Sequence, residues 1–178
     1  MKKNYWKNLS EMSSIYKKYI LLLPLYVIIQ IMILNQILFF SYVNPYLYLI
    51  LIITLPIKTS SIFLFLYSFM LGFCIDIFSI SIGYHSSACI LIAFLKNTIH
   101  KITIPNNILS NEDEISIKKI GNQAYIIFSF IIILLHHTCL FLLEHFDINF
   151  KIIFKILLSS IASLIIIYIT QLLLQTKK

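Results

Sequence analysis

Residues 71–96 read LGFCIDIFSISIGYHSSACILIAFLK. An aspartate, Asp76, sits inside one apolar run, and a short Ser-Ile-Gly break at 81–83 leads into a second run that opens on His85. At the centre of a membrane helix an aspartate costs ~3 kcal/mol, while each Leu, Ile, Phe or Val returns ~0.3–0.6 kcal/mol. Run 61–80 holds twelve such residues, which together return about 5 kcal/mol and let the segment insert. Asp76 then has to face protein or water, not lipid. Helical spacing agrees, because Ser68, Gly72, Asp76 and Ser79 fall on one face. Gly72, one turn before the acid, removes a side chain that would hold a neighbouring helix away.

The rest of the chain has the same character. Of 178 residues, 60% are apolar and 12% charged, against ~25% charged in a soluble domain. Long apolar runs without period-2 alternation exclude a transmembrane barrel, and three glycines with four prolines are too few for an all-β protein. The expected fold is all-α, a polytopic integral membrane helical bundle. Six runs are long or nearly long enough to cross: 19–40, 46–57, 61–80, 84–95, 124–143 and 150–174. Run 46–57 is short and closed by Pro56, so it reads as a span or as a re-entrant segment. Run 84–95 extends through Asn97 to His100 at modest polar cost.

The basic residues set the orientation. All 14 are lysine. With six spans and both termini cytoplasmic, twelve fall on the cytoplasmic side, and only Lys151 and Lys155 lie outside, as the positive-inside rule requires. This threading gives a basic cytoplasmic tail over 1–18, a membrane domain over 19–176 and a cytoplasmic loop over 96–123, with a short helix expected at 111–120. Run 19–40 has no small-residue cleavage site and is expected to stay as a signal anchor. The net charge of +7 belongs to this topology. Without arginine there is no bidentate fork for bases or phosphates, so nucleic acid is not an expected partner. Cys74, Cys89 and Cys139 are isolated in apolar runs and read as small apolar fillers.

The same threading gathers polar groups near the outer surface. Asp76 comes out ~24 Å across the membrane and the His136–His137 pair ~20 Å across, with Glu144 near the boundary and His85 opening the fourth span. Imidazoles and carboxylates suit a metal, but adjacent histidines on a helix point ~100° apart. Asp76 with Glu144 or Asp147 is the only candidate hydrolytic dyad, and no strained or glycine-rich catalytic loop accompanies it. The remaining reading is a structural polar cluster that orients helices, with no cofactor, metal or catalytic residue. Small-residue faces at Ser86, Cys89, Ala93 and Asn97, and at Ser159, Ala162, Ser163 and Thr170, read as packing surfaces.

Gly72, Asp76, Gly83 and His85 form a G-x-x-x-D-x-x-x-x-x-x-G-x-H frame; NPYLYL stands at 44–49 and HHTCLFLLEHF at 136–146. These stretches resemble the MreD family of bacterial rod-shape-determining membrane proteins, in its Bacteroidetes-type form. The resemblance implies a non-enzymatic inner-membrane subunit of the elongasome. It implies association with MreC, and through it with MreB, RodA and the elongation transpeptidase. It also implies a fold similar to the substrate-binding subunits of energy-coupling-factor transporters. Gly72, Asp76, Gly83, His85, His136, His137 and Glu144 would then be structural or partner-interface residues. Asp76 is expected to pair with His85 or a fifth-span histidine. A solute-binding transport subunit is the alternative, because a shared fold does not fix function.

Overall fold

Pro24 lies within the first helix, α1 (Lys2–Ile29), whose backbone continues through a wide π turn at Gln30–Leu34. Ser60 accepts the amide of Phe63 and starts α3 (Ser61–Ser79). Gly83, at φ +76°, opens α4 (Tyr84–Thr103). The remaining helices are α2 (Leu49–Thr54), α5 (Ile117–Ile120), α6 (Asn122–His145) and α7 (Phe150–Thr176). The computed structural model describes residues 2–36, 43–105, 114–146 and 149–176, with the side chains of 2–11 and 176 outside that description. The chain is all-helical, with no strand among the described residues.

Among the described residues four helical stretches are long and apolar enough to cross a membrane: Met12–Leu34, Ser61–Ser79, Asn122–His145 and Phe150–Gln175. Burial runs opposite to that of a soluble protein. Leu21, Leu25, Ile62, Leu66, Ile165 and Ile169 are at least half exposed, while Gln30, Lys96, His136, His137 and Ser163 are fully enclosed. Apolar outside and polar inside is the arrangement that hydrocarbon surroundings select.

In sequence order, α3 packs on α4, α4 on α6 and α6 on α7, and α1 lies against α3. The close α3–α4 approach depends on Gly72. A Cβ there would stand 2.6 Å from the Cα and amide nitrogen of Ser86 and 2.7 Å from the carbonyl carbon of His85.

Within this frame lies the segment expected as the second span. Its helix is only six residues, Leu49–Thr54, about 9 Å long. Leu47 to Ile53 are at most 7% exposed. Tyr19 Oη donates to Thr54 Oγ1, while Gln30, in the π turn that continues α1, holds Pro45 and Leu47. The segment therefore runs antiparallel to α1. Its flanks are not helical, so their peptide groups need partners from elsewhere. Asn44 N–H donates to Ser159 Oγ at 3.1 Å and Tyr46 N–H to Ser163 Oγ at 2.8 Å. Gln30 accepts from Leu47 N and donates to Pro45 O, both at 2.9 Å. At the far end Ile115 N donates to Thr54 O at 3.0 Å, and Lys96 Nζ donates to Leu55 O at 2.5 Å.

Three sequence expectations change here. Run 84–95 is part of a longer helix that continues to Thr103, so Lys96, expected in the loop, lies in α4 with its amine fully buried. Its amine donates to the carbonyl of Leu55, the residue that follows α2. The short helix expected at 111–120 is the four-residue Ile117–Ile120; Glu114 to Ser116 are not helical, and 111–113 lie outside the described residues. Ser159 and Ser163, read as packing residues, serve as hydrogen-bond acceptors for the central segment.

Replacing Gln30 with Leu strands one carbonyl and one amide inside the bundle. A loss of about 2–4 kcal/mol is expected, read as a lowered midpoint of thermal unfolding in detergent. Gly72→Ala should cost about 1–3 kcal/mol by the same measurement, because backbone and not a flexible side chain blocks the added methyl.

Candidate functional site

Asp76 lies in the last turn of α3 and is 3% exposed. One oxygen accepts from Ser81 Oγ at 2.5 Å and His85 N at 3.0 Å; the other accepts from Ser86 N at 2.9 Å and Ser86 Oγ at 2.5 Å. Gly83 has no side chain to cap α4, so Asp76 supplies the cap from the preceding helix. The positive end of the helix dipole faces the carboxylate. The expected partnership with His85 thus exists through the backbone amide of His85 and not through its ring, because the first-turn amides of α4 require acceptors. Ile80, in the left-handed region at φ 54°, and Gly83 turn the chain between the two helices.

The ring of His85 points elsewhere. Tyr48 Oη lies 2.9 Å from His85 Nδ1 and 3.0 Å from His136 Nε2. A tyrosine hydroxyl carries one proton, so it donates to one ring and accepts from the other. His136 Nδ1 is buried without a hydrogen-bond partner among the described residues. A bare lone pair there is less costly than an orphaned N–H, which places the proton on Nε2. The hydrogen bonds then run from His136 to Tyr48 to His85. Cys89 Sγ stands 3.9 Å from His136 Nε2.

His137 joins a second chain. Its Nδ1 is 2.8 Å from Ile133 O and must donate, so Nε2, 3.2 Å from Ser163 Oγ, accepts. Ser163 in turn accepts from Tyr46 N. The Tyr46 ring sits between the two chains, 5.2 Å from the His85 ring and 5.0 Å from the His137 ring.

Asp76, His85, His136 and His137, expected together, do come together, and Gly72 and Gly83 shape the α3–α4 junction beside them. Glu144 stays apart. Its half-exposed carboxylate lies 3.7 Å from Lys155 Nζ and 3.9 Å from His145 Nδ1. Asp147 lies outside the described residues. Glu144 and His85 both line a cavity of about 480 Å³, together with Asn35, Asn44, Tyr46 and Ser81. Among the described residues no three His, Cys, Asp or Glu side chains converge as metal ligands would. With both oxygens of Asp76 each accepting two hydrogen bonds, the carboxylate has little capacity left for an acid–base step.

Tyr46, Tyr48 and Gln30 were not singled out from sequence. Gln30 carried a usable signal, a lone amide inside a long apolar run. The two tyrosines did not, since aromatic residues are common in membrane helices. No family model, curated protein or solved structure matches the chain.

Asp76→Leu leaves two buried amides without acceptors, and a loss of about 2–5 kcal/mol is expected. Tyr48→Phe removes only the bridging hydroxyl and should cost about 1–3 kcal/mol. Thermal unfolding of the two variants side by side checks both size and order.

Proposed function

We propose that this chain is a non-enzymatic inner-membrane subunit of MreD type, which binds MreC and supports side-wall peptidoglycan synthesis and cell shape. In this reading it crosses the bacterial cytoplasmic membrane six times, with both termini in the cytoplasm, in a fold of the energy-coupling-factor substrate-subunit kind. MreB, RodA and the elongation transpeptidase are reached through MreC. The observation that carries the reading is the hydrogen-bonded cluster of Asp76, Tyr48, His85, His136 and His137. It joins α3, α4 and α6 to the central segment and commits its acid to helix capping, as a scaffold requires. The resemblance of 71–96 and 136–146 to the family points the same way.

Six crossings are supported by the course of the chain. Lys18 and Gln175, near its two ends, line one cavity. Asn35, Ser79, Tyr84 and Glu144 line the other. The central segment runs between these ends antiparallel to α1. Buried protein is the setting in which non-helical backbone is tolerated at membrane depth.

A second reading, a solute-binding transport subunit, draws on the cavity of about 480 Å³ beside His85, a size suited to a small molecule. Affinity purification from detergent separates the two. MreC, with RodA and the transpeptidase following, is the expected catch. An energy-coupling ATPase partner, or a small solute retained at one per chain, would replace the first reading by the second. Reporter fusions at both termini should report the cytoplasm.

A further inference from the structure

The cavity of about 480 Å³ beside the histidines is lined from the π turn, the central segment, the α3–α4 turn and α6. Asn44 stands on the central segment, and its Oδ1 is buried with no hydrogen-bond partner among the described residues. A buried acceptor of that kind calls for a donor. His85 opens α4, and its Nδ1 takes the proton of Tyr48 in the chain that runs from His136. The ring's own proton therefore sits on Nε2, which no acceptor meets among the described residues. Ser79 Oγ accepts from Asn35 Nδ2 at 3.2 Å and keeps its own proton to give. Two backbone features mark the same place. Ile31 and Leu34, from the π turn, line the cavity, and widened turns inside helices gather at functional sites. Ile80, a β-branched residue held in the left-handed region at φ 54°, lines it too. Strain of that kind clusters at ligand sites, where the surroundings hold it.

An imidazole N–H, a hydroxyl proton and a bare amide oxygen, carried on different elements, match a ligand with hydroxyls around its rim. Each hydroxyl gives one hydrogen bond and takes two, whereas a lone carboxamide meets one such pair and leaves the rest. The three protein groups are neutral, and neutral hydroxyls meet them without the cost of desolvating an ion. Leu34, Phe78 and Leu140 lie between them in the lining and suit the C–H faces of a sugar ring. We infer that this cavity is a binding site for an uncharged hexose, with one hydroxyl oxygen accepting from His85 Nε2 and one hydroxyl donating to Asn44 Oδ1. The transport reading draws on the same cavity, but the inference rests on neither reading above: the sugar is held here whichever protein partner the chain takes.

The test uses the full chain in phosphatidylcholine nanodiscs free of sugar-based detergent. The methyl glycosides of glucose, galactose and mannose are offered in solution, and a glucosyl diacylglycerol in the bilayer. Binding is read by saturation-transfer NMR and native mass spectrometry; either arm supports the site, and the two together tell a free sugar from a lipid headgroup. Asn44→Ala should weaken binding about 5-fold, the effect of one hydrogen bond, without lowering the midpoint of thermal unfolding. Leu140→Trp, which fills the cavity and keeps every polar group, should abolish binding while unfolding stays cooperative; this variant carries the test if Asn44→Ala fails to fold. Glucosamine and glucuronate should bind more weakly than methyl glucoside. No binding of any neutral sugar, binding unaltered in both variants, or tighter binding of a charged sugar would each overturn the proposal. Those outcomes leave the choice of protein partner untouched, since affinity purification decides it separately.

Discussion

A bilayer offers no water to an unpaired peptide group, and the architecture of this chain follows from that constraint. The segment around α2 leaves helical geometry on both sides while buried at the centre of the bundle. Six of its peptide groups are met by named groups: Ser159, Ser163 and Gln30 toward one end, Lys96 and Ile115 toward the other. The outer helices are held in place by serving the inner segment. Without those hydrogen bonds the buried backbone would lose more than packing among leucines and isoleucines returns, because lipid competes equally well for apolar contacts.

The histidine cluster extends the same logic to side chains. Tyr46 and Tyr48 leave the central segment and meet rings from α4 and α6, while Asp76 joins α3 to α4. Neutral hydrogen-bonded imidazoles are a low-cost way to place polarity in a low-dielectric interior, since no ion needs desolvating. The exception is Asp76, whose charge is met by helix amides and hydroxyls in place of a counter-ion. A network closed in this way favours one packing arrangement over its competitors. A subunit that presents a fixed surface to a partner needs that property more than one that turns over substrate.

Much of this was legible in the sequence because hydrocarbon makes polarity expensive. Asp76, the paired histidines and Gly72 were all visible as anomalies in apolar runs, and the structure gathers the acid and three imidazoles into one neighbourhood. Hydropathy reports how greasy a stretch is and not what its backbone does, so the extended stretch before Leu49 could not be told from the start of a helix. Lys96 was read with the loop because a lysine ending an apolar run ordinarily reaches for water; its true partner, Leu55 O, lies 41 residues away in sequence. Glu144, expected near the outer boundary, lines the cavity beside His85 while its carboxylate lies next to Lys155. Depth follows from counting residues, whereas facing depends on neighbours that a single sequence does not reveal.

The wiring of the central segment also bears on biogenesis. The acceptors for Asn44 N and Tyr46 N lie 115 and 117 residues later, on α7. Until α7 is made, those two amides cannot reach their native partners. The nascent chain must shelter them by other means, through insertase contacts, headgroup water or a temporarily helical backbone. The centre of the bundle is thus laid down well before it is locked, and a ribosome that stalls ahead of α7 leaves those two amides without their native acceptors.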